Sequence, residues 1–192
     1  MSKDINKKSD EELVVLVLEN QDYFLYLVRR YENKLTRYIS RISNLNLDET
    51  EDVLQEVFIK VYKNLNGFDT SLKFSSWIYR ITHNEVISNF RRIKNKATII
   101  HEDLDGNIMK NIADELNIEE EINLEFLKNN LFEILDQMDL KYKEVLVLKF
   151  WEQKSYSEIS DILKKPEGTV ATLINRAKKH FLKILEKSHL KI

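Results

Sequence analysis

Apolar residues along this chain recur at three- and four-residue steps with polar positions between them, which is the period of an amphipathic helix. Leu13, Leu16 and Val17 keep that step behind Ser9 and Glu12, whose spacing is that of a capping box. A second apolar series runs Tyr23–Tyr38 and stops at the turn-like stretch Ser43-Asn44-Leu45-Asn46. Asp48 with Glu51 repeats the capping spacing, and Val53, Val57, Val61 and Leu65 then form one face of a third helix. Asn66-Gly67 marks its stop. After Phe68–Lys73 a fourth helix carries Phe74, Trp77, Ile78 and Ile81 and ends near Arg92.

Periodicity then lapses. The stretch Thr98–Glu121 reads as a linker with Gly106 near its middle, and Ile118–Leu127 begins to regain helical spacing. Leu127, Leu131 and Leu135, then Val145, Leu148 and Phe150, predict two helices around Asp139–Lys141. Ser155 and Glu158 make a third capping box before Ile159, Ile162 and Leu163. Lys164-Lys165-Pro166 interrupts, because a proline ring is tolerated only in a first turn. Val170, Ile174, Ala177, Phe181 and Leu185 follow on one face of a last helix. No alternating strand pattern and no internal repeat is found. The expected fold is all-α: two small helical domains, residues 1–97 and 127–192, joined by a flexible acidic linker, 98–126.

Composition narrows the chemistry. The 192 residues include three Gly, one Pro and no Cys, which favours helices and excludes disulfides, thiolate metal sites and a Cys nucleophile. His83, His101, His180 and His189 never stand three to five apart, so no metal pair on one helix face is expected. The apolar run Leu13–Leu18 falls far short of the roughly 20 residues that span a bilayer. Lys3, Lys7 and Lys8 before it do not make a signal-peptide pattern. The expectation is a soluble, cytoplasmic protein without membrane insertion, without catalytic residues and without metal or other cofactors.

A net charge of −2 argues at first against nucleic acid. Its distribution argues otherwise. Residues 60–97 and 164–192 each hold eight basic against two acidic residues, whereas 98–127 hold nine acidic residues against one Lys. In the last helix the apolar face leaves Thr169, Thr172, Asn175, Arg176 and Lys179 pointing outward, after a helix and a tight turn. That is the layout of a helix-turn-helix. Asn can bridge adenine, Arg can fork onto guanine and Thr can touch a thymine methyl. Lys178, Lys179 and Lys183 supply charge for phosphates. The plainer alternative is an amphipathic helix with a solvated lysine face.

In the first basic segment, Lys60, Lys63, Lys73, Arg80, Arg91, Arg92, Lys94 and Lys96 alternate with Phe68, Phe74, Trp77 and Tyr79. Cations interleaved with aromatics suit single-stranded DNA, although Phe74 and Trp77 also suit a core. Asp52 and Glu56, four apart on one helix face, would be a carboxylate pair for acid–base or metal chemistry on an enzyme reading. No phosphate loop or nucleophile motif accompanies them.

Tyr156-Ser-Glu-Ile-Ser-Asp-Ile-Leu163, Glu167-Gly-Thr-Val170 and Asn175-Arg-Ala-Lys-Lys179 together resemble the C-terminal domain of sigma-70 family RNA polymerase sigma factors. The N-terminal half agrees. Glu51-Asp-Val-Leu-Gln-Glu-Val-Phe58 resembles the family's polymerase-binding helix, and Phe74-Ser-Ser-Trp-Ile-Tyr-Arg-Ile81 with Asn84 and Arg91-Arg92 resembles its promoter-melting helix. The order and spacing resemble the two-domain, extracytoplasmic-function type, over about residues 9–97 and 127–186.

The resemblance implies a sigma region 2-like first domain and a region 4-like helix-turn-helix. Asp52, Gln55, Glu56 and Phe58 would dock on the clamp helices of the largest subunit of core RNA polymerase, with the flap of the second largest as a further contact. Asn66, Phe68, Lys73, Trp77, Arg80, Asn84, Arg91 and Arg92 would hold and melt a −10-like element, duplex becoming single-stranded. Thr169, Thr172, Asn175, Arg176, Lys178 and Lys179 would read a −35-like duplex. An anti-sigma factor is admitted as a further partner. Glu85, Ser88, Ala171 and Leu173 depart from the family pattern: Glu85 stands where an apolar residue is usual, and Ala171 and Leu173 stand where cations often touch DNA. The linker would pass near the polymerase active site, or its acids would shield the basic faces. A stand-alone helix-turn-helix regulator remains the alternative, and a carboxylate-dependent hydrolase a third reading.

Overall fold

The computed structural model describes residues 5–92 and 131–189, without the side chains of 90–92 and 188–189. The fold is all-α among the described residues and divides into two compact units, the first within Met1–Ile99 and the second within Ile100–Ser160 and Lys164–Ile192, with one short helix of the second unit running across the break at 161–163. The expected linker 98–126, Leu127, Lys94 and Lys96 lie outside the described residues.

In the first unit α1 spans Asp10–Glu19, and Ser9 caps it through the reciprocal bonds its sequence foretells. A 3-10 turn, Gln21–Tyr23, leads into α2, Phe24–Ile42. α3 spans Leu47–Asn64, a second 3-10 turn spans Leu65–Gly67, and α4 spans Phe74–Arg92. The expected cap of α3 is corrected. Asn46, not Asp48, receives the amide of Glu49 at 2.9 Å, and the Glu49 carboxylate receives the amide of Asn46 at 2.9 Å. Both pairs have the same spacing, but starting at Asn46 lengthens the helix by two residues. It also leaves Asp48 in the first turn, where its charge favours the helix dipole.

α2 lies at the centre and packs against α1, α3 and α4. Its buried stripe is Leu27, Tyr31, Leu35, Tyr38, Ile39 and Ile42, and α3 meets it with Val53, Val57 and Val61. Full burial of such a side chain stabilises by about 1.5–3 kcal/mol. Aromatic rings close the end nearest the start of α4: Phe74 stands edge-on to Tyr31 at 5.5 Å, and Phe68 packs on Phe74 and Trp77 at 5.5 and 5.1 Å.

In the second unit residues 131–136 are helical and α5 spans Leu140–Leu146. One π turn, Val147–Trp151, follows and ends with the Glu152 amide on the Val147 carbonyl at 3.1 Å. Phe150 and Trp151 are both buried at its end. α6 spans Tyr156–Leu163 with Ser155 and Glu158 as its capping box, and α7 spans Glu167–His189 and packs on α5. Between α6 and α7 the chain turns on Lys164, which adopts the left-handed conformation at φ 52°. The Ser160 hydroxyl donates to the Lys165 carbonyl at 2.6 Å and holds that turn closed.

Candidate nucleic-acid interface

α7 is seated by the residues its spacing nominated. Val170, Ile174, Ala177, Phe181 and Leu185 are each no more than 1% exposed. With that face fixed, helix geometry turns Thr169, Thr172, Asn175, Arg176, Lys179 and Lys183 into solvent, and all six are exposed. Lys178 stands at the edge, half-buried, with its ammonium 6.0 Å from the Phe150 ring centre. The Thr172 hydroxyl donates to the Gly168 carbonyl at 2.8 Å, which leaves its methyl and the acceptor side of its oxygen for an outside contact. Ala171 and Leu173 are half-buried on the flanks of the row. A row of amide, guanidinium and ammonium groups on one rigid face is what a major groove can accept.

The second candidate surface is the loop between α3 and α4. Asn66, Gly67 and residues 69–73, Lys73 among them, are exposed. The Phe68 ring is 7% exposed and packs against Phe74 and Trp77, which anchors the loop. Trp77 is half-buried in the same cluster. Asp69 organises the exposed part: its carboxylate accepts from the Ser71 amide at 2.9 Å, and its carbonyl accepts from the Leu72 amide at 3.0 Å. Hydrogen bonds from the Ser71 backbone amide and from its side chain hold the Asp69 carboxyl below its usual range. On α4, Arg80 is half-buried and Asn84 exposed, one turn apart. The side chains of Arg91 and Arg92 lie outside the described residues.

Lys60, counted above among the basic residues, is engaged by Glu85 across the α3–α4 contact. Glu85 is 8% exposed, and this pairing explains how a carboxylate occupies an otherwise apolar position. No spacing rule joins residues 25 apart, so the pair was invisible in the sequence.

A third surface lies on α3. Asp52, Gln55 and Glu56 are exposed, and Phe58 is half-buried. Phe58 stands edge-on to Phe24 at 6.4 Å, and Phe24 to Tyr62 at 5.1 Å. Phe24, Phe58, Ile59, Tyr62 and Lys63 line an open cleft of about 250 Å³ beside the acidic row. Phe24, Ile59 and Tyr62 were not singled out from the sequence. Their signal was Ile59 and Tyr62 on α3 outside the buried valine stripe, each 45% exposed. Among the described residues no group of His, Asp or Glu side chains could hold a metal ion, and no helix is long and apolar enough to cross a membrane.

The fold is that of a helical protein of the helix-turn-helix class, with a second helical unit that exposes an acidic row beside an open apolar cleft. Residues 27–96 match the family Sigma-70 region 2, and residues 128–181 match Sigma-70, region 4. The chain is 34% identical over 170 residues to the ECF RNA polymerase sigma factor SigW of Bacillus subtilis, covering 86% of this chain and 90% of that one. It is 30% identical over 179 residues to the ECF RNA polymerase sigma-E factor of Haemophilus influenzae, covering 88% and 92%. The fold is similar to that of CnrH, solved in complex with the cytosolic domain of CnrY, at a TM-score of 0.69 and 22% identity over 94% of this chain and 99% of that one. It is also similar to the sigma factor RpoE of Bartonella quintana, solved with the anti-sigma factor NepR, at 0.64 and 17% over 85% and 96%.

The chain belongs to the sigma-70 family, as an RNA polymerase sigma factor of the extracytoplasmic-function type. It is a non-catalytic transcription factor that binds core RNA polymerase and promoter DNA. The carboxylate-dependent hydrolase is set aside with that membership.

Proposed function

We propose that the two units divide promoter recognition: residues 127–192 read a −35-like duplex and residues 1–97 open a −10-like element, with 98–126 as the tether. The observation that carries this reading is the outward row of α7, Thr169, Thr172, Asn175, Arg176 and Lys179, exposed over a face that is sealed. Lys178 adds charge at its edge. In the first unit Asn66, Lys73, Arg80 and Asn84 provide polar and cationic contacts to an unpaired strand, with Arg91 and Arg92 at the end of the same helix. Phe68 and Trp77 serve that surface from beneath, as its packing.

Asp52, Gln55 and Glu56 beside the Phe58 cleft form the contact to the clamp helices of the largest polymerase subunit; an apolar anchor with a polar rim suits such an interface. The second unit meets the flap of the second-largest subunit. An anti-sigma factor is a further partner; the solved RpoE of Bartonella quintana is bound to one. The test is run-off transcription with purified core polymerase on a pool of promoter-bearing fragments. The expected result is discrete starts that require this chain and vanish with Glu56→Lys, which also loses core polymerase on co-purification. Duplex binding of equal strength with and without polymerase, and no start, would favour a stand-alone regulator.

A further inference from the structure

Three consecutive acids open α1, and each has a different task. Asp10 accepts from Arg30 at 2.8 Å and from the Tyr31 hydroxyl at 2.5 Å, which pins α1 to α2. Burial, reinforced by the Asp10 carboxylate, holds that hydroxyl well above the usual tyrosine range, so it stays a donor. Glu12 returns to the Ser9 amide at 2.7 Å and completes α1's own capping box. Glu11 leaves its helix altogether. Its Oε1 accepts from the Phe74 amide at 2.9 Å, 63 residues away.

Phe74 is the first residue of α4, and α4 needs that bond. α1, α3 and α6 are each capped in cis by Ser9, Asn46 or Ser155. In α4 the Lys73 carbonyl accepts the first helical bond, from the Trp77 amide at 3.3 Å, so Lys73 is the capping position. A lysine side chain has no acceptor to offer the orphan amides of the first turn. Glu11 supplies both the missing acceptor and a negative charge at the positive end of the helix dipole. The amide it fixes is also where the loop Asn66–Lys73 ends, and the other end is held by Phe68 in the same ring cluster.

We propose that Glu11 is a positioning residue for that loop: it caps α4 from α1 and so presets the exposed tip, residues 69–73, for an unpaired DNA strand. The proposal rests on the loop's role in holding single-stranded DNA put forward above. Glu11 touches no DNA itself. Its effect passes through the Phe74 amide.

The experiment uses holoenzyme assembled from core polymerase and the full chain, binding a fluorescent pool of random-sequence single-stranded 20-mers at a temperature where every variant keeps the parent's circular dichroism. Loss of a cap acceptor leads us to expect Glu11→Ala to weaken that binding by about five- to tenfold and to speed exchange of the Phe74 amide. Glu11→Gln, which keeps the acceptor, should return to within about twofold of the parent. Assembly with core polymerase and binding of duplex DNA should not move. If Glu11→Ala does not fold, Glu11→Asp, one methylene shorter, is expected to show an intermediate loss.

Thr70→Ala/Ser71→Ala/Leu72→Ala separates the two claims. If this tip variant binds the pool as the parent does, the loop's role in holding DNA fails and the proposal falls with it. If the tip variant loses binding while Glu11→Ala does not, the proposal alone is overturned. It is likewise overturned if Glu11→Gln is as weak as Glu11→Ala, or if duplex binding and assembly fall in step with single-strand binding.

Discussion

The outer face of α7 and the loop Asn66–Lys73 are both exposed polar surfaces over apolar packing, yet they are held in different ways. On α7 the contact groups ride on one regular helix, and their spacing follows once Val170, Ile174, Ala177 and Phe181 are buried. In the loop, position comes from a few separate ties: Phe68 in a ring cluster, Asp69 on the Ser71 amide and Glu11 on the Phe74 amide. A rigid row suits a duplex, whose grooves present bases at fixed intervals. A short loop pinned at both ends suits unpaired bases, which must be held one at a time. The difference predicts that α7 fails when its seat is removed, whereas the loop fails when one tie is cut.

The largest effect should come from the seat of α7. Phe181→Ala empties a ring that is 1% exposed and should cost the second unit about 3–5 kcal/mol, visible as an early unfolding transition and loss of duplex binding. Amide protection in α2 and α3 of the first unit should be retained. Arg176→Ala should weaken binding of holoenzyme to duplex promoter DNA by about 1–3 kcal/mol while leaving stability alone, because the side chain is exposed.

A smaller effect should follow acidification. Asp69 is held ionised below its usual range, so the turn it makes is intact above that range and opens as pH falls through the lowered value. The Ser71 amide resonance should shift only at a pH below the usual carboxylate range. A Ser71 shift already at neutral pH would contradict the assignment. The smallest effect is at the turn before α7: Lys164→Gly removes a side chain from a left-handed residue and should raise stability by no more than about 1 kcal/mol in denaturant unfolding, without touching DNA binding.

The same contrast governs what was legible beforehand. The row on α7 and the caps at Ser9 and Ser155 follow from local spacing, and the structure carries them residue for residue. The cap of α3 was misplaced by two residues because Asn46 with Glu49 and Asp48 with Glu51 obey one rule, and only helix length separates them. The π turn at Val147–Trp151 leaves no trace in apolar content. Phe68 lay among polar neighbours and gave no periodic signal, although it packs as core. Glu11 with Phe74 and Lys60 with Glu85 join distant parts of the chain, and no local pattern encodes such pairs.

The division of labour between the two surfaces is tested most directly at Arg80. Holoenzyme carrying Arg80→Ala is compared with the parent on one promoter, by footprinting of the −35-like duplex and by permanganate reactivity of unpaired thymines near the start. The account predicts that the duplex footprint persists while permanganate reactivity falls severalfold. Equal losses in both, or an unchanged open region, would contradict it.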